Sequence, residues 1–270
     1  MKIIAACGLL LSVALIARGQ DNYADSVVNY TSGTGSGFET TFENPSVVTG
    51  TVTTGSDGGT PYSIVYPAYR PTQIVGVGES GTLTAQFDTP ITNDPTDHAD
   101  GMDFTIFGNE FFASGLTGFS GTYTHSGLTV WVSADGTNYY ELSVPNGYGA
   151  DDSFPTNPIS QGGNPFLPVN PSLTLSSFVG LTEAQALSLY NGSGGGASFS
   201  ISWAENSLGD PVYLPSVSFI KIQGSSGYGY VDAISRVETV PEPAAVALLV
   251  AGGVALFCFL RFRRRRIRVS

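Results

Sequence analysis

Four aspartates fall within ten residues in the run Asp94-Pro95-Thr96-Asp97-His98-Ala99-Asp100-Gly101-Met102-Asp103. Calcium takes about six to eight oxygens from carboxylates and carbonyls in a flexible loop. Asp94, Asp97, Asp100 and Asp103 are the side chains that would supply them here. The spacing is not that of an EF-hand, and a solvated acidic loop built on Asx turns uses the same residue types. Calcium is therefore the one cofactor the sequence brings into view, and nothing in the sequence requires it.

A second candidate is aromatic. Trp131 alternates with apolar neighbours and so points away from the buried face of its strand, and Tyr139 falls opposite it. Together they would make a platform on which the C–H face of a sugar ring can stack. A covering loop carrying Phe111 or Phe112 would bury the same ring instead. Trp203 shares a face with Phe199 and Ile201 and belongs to the core.

Catalytic patterns are sparse. The chain has two histidines, His98 and His125. No Gly-x-Ser-x-Gly elbow surrounds a serine. The run Gly192–Gly196 lacks the lysine and helix of a phosphate loop. A pair drawn from Glu79, Glu110, Glu141 and Glu205 would be needed for glycosidase acid–base chemistry, with Glu110, beside Phe111, the best placed for a raised pKa. The reading is that the protein is not an enzyme, with a glycoside hydrolase or lyase as the alternative.

These residues must be positioned by strands. Short β-rich runs lie between Gly/Pro punctuation at 46–53, 62–66, 73–77, 82–87, 102–107, 128–133, 139–144, 198–203, 217–222 and 229–237. Such a series predicts an all-β sandwich or barrel. One hairpin is explicit. Leu128, Val130 and Val132 alternate with Thr129, Trp131 and Ser133, Ala134-Asp135-Gly136-Thr137-Asn138 turns, and Tyr140, Leu142 and Val144 return on the buried face. One short helix is expected after the capping box Thr182-Glu183-Ala184-Gln185, with Leu181, Ala184, Leu187 and Leu189 packing and Asn191-Gly192 ending it.

Charge is distributed unevenly. Of 11 basic and 22 acidic residues, only Arg70, Lys221 and Arg236 are basic between residues 20 and 240, against 21 acids, so this body carries a net charge near −18. Nucleic acid and anionic lipid are excluded as its partners by repulsion. The two cysteines, Cys7 and Cys258, lie in the terminal apolar stretches, so the body has no disulfide, thiolate metal site or cysteine nucleophile. A body of this length buries a sufficient core without such staples.

The ends of the chain read as addresses. Lys2 followed by the apolar stretch 3–17 and the small residues Ala17 and Gly19 makes an export signal peptide over 1–19, with Gln20 the first mature residue. At the other end come Pro241-Glu242-Pro243, the uncharged stretch 244–260, and Arg261, Arg263, Arg264, Arg265, Arg266 and Arg268. As a helix, 244–260 covers about 25 Å, near the lower limit for a bilayer core. The arginines stay on the cytoplasmic side, because each costs about 2.5–3.5 kcal/mol to insert.

These three parts in this order resemble the PEP-CTERM sorting signal of Gram-negative envelope proteins. The resemblance covers 240–270 and implies recognition, and cleavage near Pro241-Glu242-Pro243, by an exosortase-like processing enzyme. A weaker resemblance runs through the body over about 70–237: Gly81–Asp88, Asp103–Phe112, the hairpin at 132–136, Gly194-Gly195-Gly196, Val217–Ile222 and Val231-Asp232-Ala233-Ile234. In that order they are similar to bacterial cell-surface proteins with a galactose-binding-like jelly roll. Ser200 stands where that pattern often has an aspartate after the Gly-rich turn, which weakens any metal site built on it.

The expectation is a signal peptide (1–19), a jelly-roll-like β-sandwich with one short helix (20–239) and a sorting signal (240–270) whose transmembrane helix is 244–260 and basic tail 261–270. The protein would be inner-membrane-anchored before processing, then structural or adhesive at the cell surface or in the extracellular polysaccharide matrix. A calcium-assisted carbohydrate-binding module is the second reading.

Overall fold

The computed structural model describes residues 22–35, 39–124, 127–145, 149–150 and 154–239. The chain divides into two units, Met1–Glu238 and Thr239–Ser270, and the elements below belong to the first. The expected signal peptide, the Pro241-Glu242-Pro243 motif, the span 244–260, the basic tail and His125 lie outside the described residues. Among the described residues, no helix is long and apolar enough to cross a membrane.

Among the described residues the fold is all-β, in several antiparallel sheets with one α-helix. In chain order the strands are β1 (Ser26–Thr31), β2 (Ser56–Asp57), β3 (Thr60–Pro61), β4 (Val75–Val77), β5 (Thr82–Thr92), β6 (Phe104–Phe107), β7 (Phe111–Gly115) and β8 (Gly118–Tyr123). There follow β9 (Leu128–Ser133), β10 (Tyr140–Leu142), β11 (Ala197–Phe199), β12 (Ala204–Glu205), β13 (Ser216–Gly224), β14 (Gly229–Val231) and β15 (Ala233–Arg236). The main sheet runs β1-β5-β13-β9-β10-β12, and a smaller one runs β11-β6-β15. The ribbons β14-β4, β2-β3 and β7-β8 complete the set.

Period-two alternation builds the core. Leu83 and Ala85 of β5, Leu128, Val130 and Val132 of β9, and Ile220 and Ile222 of β13 all point to one side of the main sheet. They pack in a single cluster with Phe104, Ile106, Phe199 and Ile234 of the smaller sheet, so the two sheets share one core. The smaller sheet is covered on its other face as well. There Thr105 stands in register with Ser198 and Ser235. Thr105 and Ser198 hydroxyls bond at 2.9 Å, and the Ser235 hydroxyl donates to the Pro165 carbonyl at 2.7 Å, so these buried hydroxyls are satisfied. Close approach of backbones demands glycine at one end of β13: a Cβ on Gly224 would collide with the Gly78 carbonyl.

The β9–β10 hairpin forms as the alternation requires. Its register pairs Tyr140 with Val132 and Glu141 with Trp131. Asp135 fixes the turn, its Oδ1 accepting the backbone N–H groups of Thr137 and Asn138 at 2.8 Å each. Gly136, at φ 71°, sits so close to the Phe219 ring that a Cβ there would crowd it. The helix α1 (Glu183–Tyr190) has the expected capping box between Thr182 and Gln185, and Asn191 closes it in the left-handed region. Its buried face is Ala186 and Tyr190, however, and Ala184 and Leu189 are exposed. Leu181 and Leu187 pack as expected against the edge of the cluster that holds Ala186 and Tyr190, and the Tyr190 ring, beside Phe178, fills the space under the helix.

Several expected strands differ. The run 46–53 is instead a 3-10 helix over Pro45–Thr49, because Pro45 sits at its start and the Asn44 side chain accepts the Ser46 N–H. The run 62–66 is a turn, with reciprocal Ser63–Tyr66 backbone bonds. The run 198–203 stops at Phe199, where Ser200 caps a 3-10 helix over Ile201–Trp203. The run 229–237 is two strands in different sheets, broken at Asp232. β1 has no clear alternation in the sequence, because a bulge interrupts it between Val27 and Asn29. The β7–β8 hairpin, rich in Gly and Ser, carries no strand signal in the sequence either.

Candidate functional site

Strand pairing assembles one row of side chains across the outer face of the main sheet. Asn29, Thr84, Lys221, Trp131, Glu141 and Glu205 are neighbours in register on β1, β5, β13, β9, β10 and β12. Residues directly opposite on antiparallel strands share a face, so the six side chains rise on the same side. This row brings together the aromatic candidate Trp131, two of the four candidate glutamates and one of the three bases of the body.

The aromatic platform is not bare. The Lys221 ammonium lies 4.4 Å from the Trp131 ring centroid and 4.8 Å from that of Tyr139. The two rings therefore grip a cation of the protein's own, a contact worth about 0.5–2 kcal/mol depending on desolvation. The indole N–H of Trp131 donates to the Thr129 hydroxyl at 3.0 Å. Neither Phe111 nor Phe112 is the cover: Phe111 stacks on Tyr123, and Phe112 is buried against Phe119 and Phe178. Burial pushes the Lys221 amine down, against the pull of Glu141. Burial pushes the Glu141 carboxyl up; Lys221 opposes this and Glu205 adds to it. The arrangement can hold a proton on the Glu141 carboxyl more readily than an isolated glutamate would.

The aspartate run does not converge on a cation. Asp103 is fully buried and turned inward. Its Oδ1 accepts from His98 Nδ1 at 2.6 Å and from the Asp94 N–H at 3.3 Å, and its Oδ2 accepts from the Ile201 N–H at 2.7 Å and the Ser200 hydroxyl at 3.3 Å. Asp94 caps its own turn, its Oδ1 accepting from Thr96 and Asp97. Those bonds, led by the Thr96 hydroxyl, hold its carboxyl below the usual range. Asp100 is exposed and adopts a left-handed conformation at φ 55°. Among the described residues, no group of three or more His, Cys, Asp or Glu side chains is placed to hold a metal ion. The physical reason is that Asp103 is needed inside, where it ties the loop to the start of the 3-10 helix at Ile201.

Two further acids are buried. Glu110 is fully enclosed at the start of β7. Burial, and then the Glu110 charge, raise the Tyr190 hydroxyl well above its ordinary value. Asp232, which the sequence reading did not single out as a site, is fully enclosed where the chain crosses from β14 to β15. Its oxygens accept the Thr53 N–H at 2.8 Å and the Thr53 hydroxyl at 2.9 Å. Burial pushes its pKa up to about 7, against the lowering effect of the Thr53 bonds. Lys221 was also missed, and its signal was its rarity: a lone lysine in a strongly acidic body must be compensating something local.

No family model matches the chain, and no curated protein matches it.

Proposed function

We propose that this is an exported, envelope-sorted protein whose jelly-roll-like β-sandwich has a structural or adhesive role at the cell surface or in the exopolysaccharide matrix. The observation that carries the reading is the order of three parts at the C-terminus: Pro241-Glu242-Pro243, an uncharged stretch over 244–260, and six arginines after it. An exosortase-like enzyme would act on that tail while 244–260 holds the chain in the inner membrane as a transmembrane helix. The apolar stretch after Lys2 supplies the export step.

The geometry of the body favours a scaffold over a catalyst. Four of its chemically capable side chains serve the fold: His98 and Asp103 bind each other, Asp232 binds Thr53, and Lys221 is held by two rings. The strong negative charge keeps such a body soluble and away from anionic surfaces. The test is surface labelling of intact cells with an antibody raised against the body, in the presence and absence of the processing enzyme. Labelling of the body that depends on that enzyme supports the reading, and a body found only in the cytoplasm contradicts it.

A further inference from the structure

An aromatic surface distinct from the Trp131 row lies on the excursion between β2 and β4. Tyr66 and Tyr69 are 38% and 49% exposed and three residues apart. Beneath them is a small separate core of Phe42, Tyr62, Ala68, Ile74 and Tyr230. Tyr66 stacks on Tyr62 with ring centroids 6.1 Å apart and planes 15° off parallel. Tyr69 packs on Phe42 at 5.0 Å and on Tyr230 at 6.1 Å.

The rings are also tied at their polar ends. The Tyr69 hydroxyl donates to Glu39 Oε1 at 2.6 Å, and Gln73 Nε2 donates to the Tyr62 hydroxyl at 2.7 Å. Arg70 pairs with Asp57, and its guanidinium also lies beside the Tyr62 hydroxyl. Arg70 is the single base of the body at this surface, with Glu39 and Asp57 as its acids.

We infer that Tyr66 and Tyr69, with Arg70, Asp57 and Glu39 at their rim, form a binding site for a neutral polysaccharide. Two fixed, half-exposed rings present flat π-surface for the C–H faces of pyranose units at little entropic cost. The guanidinium and carboxylates around them can donate to and accept from hydroxyl pairs, as sugar recognition needs. Charge selects the class: a body near −18 repels polyanions. Size selects against a protein partner. A stable protein interface buries about 800 Å² on each side around a dry apolar centre, whereas here two rings stand among three charged side chains. The inference deepens the adhesive reading by naming the ligand class. It is tested by binding alone, so a failure of sorting leaves it intact.

The experiment is affinity electrophoresis of the full chain in mild detergent, through gels containing hydroxyethyl cellulose, xyloglucan, galactomannan or alginate. Retardation by at least one neutral polymer and none by alginate is expected. Tyr66→Ala/Tyr69→Ala should weaken that retardation by about tenfold or more, while Tyr213→Ala, at an exposed ring outside this surface, leaves it unchanged. If the double variant melts at a lower temperature, Tyr66→Ala alone keeps the Tyr69–Glu39 bond and must still weaken retardation. Absence of retardation in every neutral gel, retardation by alginate alone, or retardation indifferent to Tyr66→Ala overturns the proposal. So does a protein partner that binds through these tyrosines when no polymer does.

Discussion

Asp103 and Asp232 show how a buried carboxylate is used structurally. Asp103→Ala removes the acceptor of the Ile201 N–H and of His98 together, leaving both donors buried, and should cost about 3 kcal/mol or more by denaturant melts. Because Asp103 is engaged in this way, a cycle of EDTA followed by millimolar calcium should leave the melting temperature unchanged. A rise with calcium that Asp100→Ala abolishes would contradict this. For Asp232 the sign of the pH effect follows from its raised pKa. The carboxyl shifts from an ordinary 3.8 to about 7 on folding, so the folded state holds the proton more tightly. Its contribution is therefore fully favourable below about pH 4 and is lost as pH rises to about 7, a swing of a few kcal/mol. Asp232→Asn can keep both Thr53 contacts, one accepted and one donated, and should remove that slope. Urea melts of both proteins from pH 4 to 8 measure the difference, and parallel curves would mean that Asp232 stays ionised in the fold.

At the level of elements, the β9–β10 hairpin was legible because everything that fixes it is local: strict alternation, an aspartate to cap the turn and a glycine with positive φ. Its inward face gives a paired test. Val130 is buried, and Thr129, next to it, is on the half-exposed outer face. Val130→Asp should unfold the protein, while Thr129→Asp should cost under about 1 kcal/mol in thermal melts. Equal losses would mean that the two faces of β9 are misassigned. What the sequence did not reveal depends on partners distant in the chain. The valines of 45–49 look like a strand until Asn44 and Pro45 start a helix there. Asp232 divides one apparent strand only because the Phe107 carbonyl takes its N–H and Thr53 waits beside it. Trp131 and Tyr139 both contact Lys221, which comes from a strand about 80 residues further along the chain. The tyrosine surface needs three separate segments, around 42, 62–74 and 228–230, to converge, and no local pattern announces that.

At the scale of the whole molecule, charge and order of parts carry the account. The acids are concentrated in the body and the arginines in the tail, so the two have opposite preferences for the anionic cytoplasmic face of a membrane. We propose that a chain so arranged is exported first, held by 244–260, and then processed. The most direct measurement is the intact mass, with C-terminal peptide mapping, of the protein extracted from the envelope. The account predicts a mature species lacking Arg261–Ser270, its new terminus near Pro241-Glu242-Pro243. Recovery of the intact C-terminal peptides from most of the mature molecules would contradict it and leave a plain membrane anchor.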